Sequence, residues 1–177
     1  MATLTKWVLD PLHSEVQFKI KHLVISTVSG SFKTFSGEAV TEGEGFDNAS
    51  INFTIDPASV DTNQPMRDGH LKNADFFDVE KYPTITFKST SFKKSGENYK
   101  LVGDLTMHGV TKPVDLDVEY GGSEKDGQGN QKYGFEVTGK IPRKEFGLVY
   151  NALTETGGLA LGEDVKLVAN IQVAKKA

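Results

Sequence analysis

The feature that most restricts this chain is an alternation of apolar and polar residues with a period of two, repeated along its length. Val16, Phe18 and Ile20 alternate with Gln17, Lys19 and Lys21, and Ile51, Phe53 and Ile55 alternate with Asn52 and Thr54. In a strand, successive side chains face opposite sides, so each run carries one apolar and one polar face. Ile85 and Phe87 repeat the pattern among Thr84, Thr86 and Lys88, while Leu101, Leu105 and Met107 share a face with Gly103. Val114, Leu116, Val118 and Tyr120 oppose Asp115, Asp117 and Glu119. Phe135, Val137 and Ile141 follow, and Val165, Leu167, Ala169, Ile171 and Val173 close the series. With a further run over 28–40, the pattern predicts about eight strands, the number that closes a small barrel.

The turns favour antiparallel pairing. Ser95-Gly96-Glu97-Asn98 and His108-Gly109 read as tight hairpin connections. The polar, glycine-rich stretch over 121–131 reads as a mobile hairpin tip. One region breaks the period: around residues 64–80, Pro65 with Asn63 or Gln64 as cap predicts a short helical insert. Carrying Phe76 and Phe77, that insert would serve as a lid or plug. With 177 residues and no internal repeat, a single domain over 1–177 is expected. The fold class is therefore all-β, an antiparallel barrel with one helical insert.

A barrel of this size is either packed with side chains or holds one ligand. Large inward residues (Phe18, Phe53, Phe87, Phe135) mix with small ones (Gly30, Gly103, Gly139, Ala169). Glycine in a strand marks either a close approach, here of a ligand, or a bulge or bend. A long apolar ligand would suit such an interior. Each buried methylene contributes roughly 0.8 kcal/mol, so about twenty carbons contribute on the order of 16 kcal/mol against roughly 4–15 kcal/mol of association cost.

Composition removes several alternatives. A formal net charge of −4 argues against capture of nucleic acid. No apolar run approaches the ~20 residues of a membrane-spanning helix. The absence of cysteine excludes disulfides, thiol nucleophiles and thiolate metal sites. The segment from Met1 to Lys6 lacks the basic and apolar regions of a secretory signal; the expectation is a cytoplasmic protein, or a periplasmic one if a signal has been removed. The four histidines, His13, His22, His70 and His108, show no chelating spacing, so no metal site is expected.

Several longer motifs stand in order along the chain. They are Trp7-Val8-Leu9-Asp10-Pro11-Leu12-His13-Ser14, the stretch from Phe18 to His22, and Gly30-Ser31-Phe32. Arg67-Asp68-Gly69-His70-Leu71, Asp75-Phe76-Phe77-Asp78-Val79 and Tyr82-Pro83-Thr84-Ile85-Thr86-Phe87 follow. The run Gly103-Asp104-Leu105-Thr106-Met107-His108-Gly109-Val110-Thr111 and Arg143-Lys144-Glu145-Phe146-Gly147 complete the set. In this order they resemble the YceI-like family of bacterial lipid-binding proteins. The resemblance implies an extended lipocalin-like barrel of about eight strands. It also implies a bound polyisoprenoid, such as a quinone or a prenyl phosphate, or another long-chain amphiphile, with no cofactor required. A homodimer is a further implication, and stress protection and transport are roles that would leave the same residues behind.

These readings give a candidate cavity wall of Val16, Phe18, Ile20, His22, Phe32 and Phe53 from the first half of the chain. Phe76, Phe77 and Phe87 follow, then Leu101, Gly103, Leu105, Phe135, Val137 and Leu167. Candidates for a polar head group are His22, Arg67, His70 and Arg143. For Arg67 with Asp68, a bond pinning the insert to the barrel rim competes with a head-group role. Arg143 offers the same two readings, a phosphate contact or a loop cap. No Gly-x-Ser-x-Gly elbow, phosphate loop or paired-carboxylate motif points to catalysis. Lipid binding, storage or transport is thus the leading expectation. The alternatives are an enzyme acting on an amphiphile through His22, His70 or Arg143, and a ligand-free interaction module.

Overall fold

The computed structural model of the protein describes residues 3–22, 25–43, 45–151 and 161–176, the side chain of His22 excepted. Among these residues the strands are β1 (Leu4–Leu9), β2 (Glu15–His22), β3 (Ser26–Phe32), β4 (Phe35–Glu42), β5 (Ser50–Ile55) and β6 (Val60–Asp61). A helix, α1 (Pro65–Lys72), precedes β7 (Ile85–Ser95), β8 (Asn98–Met107), β9 (Val110–Lys125), β10 (Gln131–Pro142) and β11 (Asp164–Lys175). Eight strands close an antiparallel barrel in the order β1-β4-β5-β7-β8-β9-β10-β11, with β11 returning to β1.

The remaining strands extend one end of that barrel. The second half of β11 pairs with β1 through Val173 to Lys175, whereas its first half pairs with β2 through Lys166 to Asn170. Between them the chain turns at Asp10-Pro11, where Asp10 Oδ1 accepts a bond from the Leu12 amide at 3.1 Å. Asp56-Pro57 repeats the device after β5, with Asp56 Oδ1 accepting from the Ala58 amide at 3.0 Å. In both, proline ends the ladder by removing a donor, and the aspartate cap closes one short turn. β2 then carries β3 and β6 beside the barrel, so the sheet does not close at this lower end.

Tight hairpins fix the register. His108 and Gly109 both have positive φ (55° and 75°), the left-handed pair a two-residue hairpin of this twist requires. Pro113 lies in β9 outside the segment paired with β10, so its missing donor is not needed on that side.

Three sequence-based boundaries change. The run over 28–40 is two strands, β3 and β4, broken at Lys33-Thr34. The stretch over 121–131 is mostly ladder, because β9 runs to Lys125 and β10 begins at Gln131. The insert expected over 64–80 is helical only for Pro65–Lys72. Gln64 caps it by accepting from the Met66 amide at 3.0 Å. Asn73 leaves the helix with extended backbone, and its side chain accepts from the Asp75 amide at 2.9 Å. Asparagine bonding its own neighbouring backbone competes with the helix, so Phe76 and Phe77 ride on a turn beyond it.

Candidate functional site

The apolar faces of the strands surround two abutting chambers. The upper one, about 160 Å³, lies in the closed barrel. The lower one, about 390 Å³, lies where β2 and β3 replace β1 as partners of the wall. Ile55, Leu105, Ile141 and Leu167 line both. These four side chains, from β5, β8, β10 and β11, form a waist through which the two spaces adjoin.

Most of the residues expected in the cavity wall line one chamber or the other. Val16, Phe53, Phe87, Leu101, Phe135 and Val137 line the upper chamber. Phe18, Ile20, Phe32, Phe76 and Phe77 line the lower. Leu105 and Leu167 belong to the waist. The side chain of His22 lies outside the described residues.

Gly103 is a correction, since it lines neither chamber. Its missing side chain makes room for protein, not ligand: a β-carbon there would stand 2.4 Å from Cζ of Phe87. A hypothetical β-carbon meets a side chain as closely at Gly30 (Phe18, 2.5 Å) and Gly139 (Leu116, 2.3 Å), and at Gly37 (Phe53, 2.8 Å), which does line the upper chamber. A large side chain from a neighbouring strand stands against each of these glycines.

Residues that the alternation did not reveal close the upper end. Phe46, in the connection between β4 and β5, is buried against Trp7, Tyr133 and Phe135, with ring centroids 5.0–5.1 Å apart. The Trp7 indole donates to Thr41 Oγ1 at 2.9 Å, which satisfies a buried polar group inside this apolar plug. A lone phenylalanine in a polar, glycine-rich loop was the available signal. Irregular chain contributes to the wall of the lower chamber. Phe77 packs edge-on against Phe32 at 5.7 Å, and His70, Phe76 and Tyr150 form a cluster with centroids 5.0–5.1 Å apart. Phe146, fully buried, belongs to the short helical turn after β10 (Arg143–Phe146) that packs on β9.

The polar groups collect at the lower chamber. Arg67 is exposed over much of its length; its Nε donates to Thr62 Oγ1 and its Nη2 to Thr62 O, each at 2.8 Å. Asp68 Oδ1 accepts from the Thr62 amide at 2.8 Å and from its hydroxyl at 2.5 Å. Together they clasp α1 to the end of β6. His70 Nε2 meets Asp75 Oδ2 at 2.9 Å. Arg143 is different, being 2% exposed. Its Nε donates to Gly162 O at 2.7 Å, and Nη1 donates to Leu148 O at 2.6 Å and Tyr150 O at 2.9 Å. Burial pushes the guanidinium pKa down, opposed by Glu163. Among the described residues no cluster of side chains could hold a metal ion, and no helix is long and apolar enough to cross a membrane.

Known proteins share this architecture. A UPF0312 protein of Staphylococcus aureus (strain USA300) is 39% identical over 170 residues, 96% of this chain and 97% of its own. The crystal structure of a Campylobacter jejuni YceI protein is 38% identical with a TM-score of 0.74, covering 89% of this chain and 90% of that one. Burkholderia cenocepacia BcnA (24% identity, TM-score 0.78, covering 93% and 98%) shares the fold. So does a polyisoprenoid binding domain from Saccharophagus degradans (17% identity, TM-score 0.65, covering 96% and 98%). The sequence model of the YceI-like domain matches residues 7–173, and the chain belongs to that family.

Proposed function

We propose that this protein binds a long-chain isoprenoid of the quinone or prenyl-phosphate type, or a similar amphiphile, inside the barrel, and stores or carries it without chemical change. The observation that carries this reading is the pair of apolar chambers meeting at a four-residue waist. The lower chamber alone falls within the usual range of ligand pockets, roughly 300–1,000 Å³. A tail occupying both would exchange water for a nearly continuous aliphatic and aromatic wall, at roughly 0.8 kcal/mol per methylene. That Saccharophagus degradans carries a polyisoprenoid binding domain of the same fold is consistent with such a ligand.

The polar side chains at the lower chamber support a carrier over a catalyst. Arg67 is held by Thr62 and His70 by Asp75, so these groups serve the architecture. Binding of this kind needs no cofactor. Native mass spectrometry of the untreated protein, followed by organic extraction, tests the proposal. The expected result is one lipid per chain, with the same mass recovered in the extract. An apo mass, an empty extract and no uptake of a long-chain isoprenoid by the purified protein would overturn it.

A further inference from the structure

The two ends of the barrel differ in what they show to solvent. At the upper end the ring of Phe46 is buried on Trp7 and Tyr133. At the lower end three aliphatic side chains are exposed: Ile25 (89%), Met66 (85%) and Val149 (62%). They come from three separate segments, and each stands beside residues of the lower chamber. Ile25 lies in the turn of the β2–β3 hairpin, whose cross-strand pair Ile20 and Val28 lines that chamber. Met66 precedes the lining residue His70 by one turn of α1, and Val149 lies between two others, Leu148 and Tyr150. Contacts tie these segments together. The ring of His70 packs on Tyr150 at 5.1 Å, and the Gly162 amide donates to Lys21 O at 3.0 Å. The Arg143 side chain bridges Gly162 O to Leu148 O. Arg67 and Tyr150 are exposed and also line the chamber, so the apolar interior reaches the surface here.

One exposed aliphatic side chain is ordinary. Three, from separate segments around one apolar chamber, make a rim. We propose that this lower end docks on the surface of a lipid bilayer, with Ile25, Met66 and Val149 entering it, so that the ligand passes between bilayer and chamber without crossing water. This rests on the lipid-binding reading above and adds the partner and the route of exchange. A long isoprenoid released into water would expose its whole tail; contact between rim and bilayer removes that step. The bilayer is the occupant because the ligand itself dissolves in it. Charges nearby are paired, Lys144 with Glu163 at 3.1 Å and His70 with Asp75 at 2.9 Å. With a net charge of −4, attraction to anionic head groups does not drive docking. The three aliphatic groups do, and so few make the contact brief.

Transfer kinetics test this. Protein loaded with tritiated geranylgeraniol is mixed with phosphatidylcholine vesicles, and delivery is followed with time, as a fraction of the lipid loaded. The wild-type rate is expected to rise in proportion to vesicle concentration and to change little with salt. Combining Ile25→Ser, Met66→Ser and Val149→Ser should slow delivery at least about tenfold. Leu4→Ser should deliver as wild type, because Leu4 is an exposed aliphatic residue at the opposite end, paired with Glu42 where β4 stops. A wild-type rate independent of vesicle concentration would mean that the lipid leaves through water. That result, an unslowed combined variant, or an equal loss in Leu4→Ser would overturn docking and leave lipid binding standing. Wild-type protein that retains no geranylgeraniol on loading would overturn both.

Discussion

The ring of Phe87 occupies the space that a side chain at position 103 would take. A β-carbon on Gly103 would stand 2.4 Å from the ring and 2.6 Å from the main-chain oxygen of Lys88. Because the second contact is backbone, rotating the ring away cannot relieve it fully. Gly103→Ala is therefore expected to destabilise the barrel by about 1–3 kcal/mol, the usual cost of overpacking. Adding Phe87→Leu should recover only part of that loss. Urea unfolding midpoints of the single and double variants check this; an alanine tolerated without loss would mean that the β7–β8 pair adjusts more freely than its ladder suggests.

The waist makes a prediction about tail length. Leu167→Phe enlarges one of the four side chains shared by the chambers, at an expected stability cost of about 1–3 kcal/mol. A twenty-carbon isoprenoid must cross the waist and should lose about tenfold or more in affinity. A ten-carbon homologue, accommodated in the lower chamber, should change by no more than about threefold. Fluorescence displacement with the two probes separates these outcomes. Equal losses would show that the long tail does not thread from one chamber into the other.

The strands and most of the wall were legible because period-two alternation is a local signal tied to a global burial pattern. Val16, Phe18 and Ile20 stood out as inward-facing for that reason, and so did Leu101, Leu105 and Leu167, all of which line a chamber. Gly103 did not, because a glycine opposite a ligand and a glycine beneath a neighbour's ring leave the same letter in the sequence. Phe46 was missed because a loop carries no period, and its role is set by Trp7 and Tyr133, far away in the chain. The helix was overextended since Asn73, a residue that bonds its own backbone, ends it early. Arg143 was recognised as ambiguous; only three-dimensional bonding separates the nitrogens that hold the loop from the one that does not.

The clasp between α1 and β6 yields a prediction for Arg67. Both its bonds go to Thr62, and Asp68 grips the same residue. Arg67→Ala should cost about 0.5–1.5 kcal/mol, since the site is partly solvated and the Asp68 bonds remain. It should also loosen the cover of the lower chamber, weakening geranylgeranyl phosphate and geranylgeraniol by similar factors. Titration of the variant with both probes is the check. A loss confined to the phosphate would assign Arg67 to the head group and remove the structural role given to it here.

Asp10 links the turn after β1 to β10 and sets how the fold responds to acid. Its carboxylate is held at a pKa of about 2, chiefly by the bond from Lys132, then by His13 and the Leu12 amide. The bond from Lys132 is 2.7 Å long. Since the folded value lies below the ordinary 3.8, the stability this group contributes is fully present above that ordinary value. It is lost as pH falls toward 2. Asp10→Asn should thus be less stable than wild type by about 1–2 kcal/mol at neutral pH. The two proteins should converge as the wild-type carboxylate takes up its proton. Urea midpoints measured from neutral pH down through this window follow the gap directly. A gap that stays constant to the acid end would mean that Asp10 acts through the Leu12 cap, which an asparagine oxygen can still accept only in part, and not through its charge.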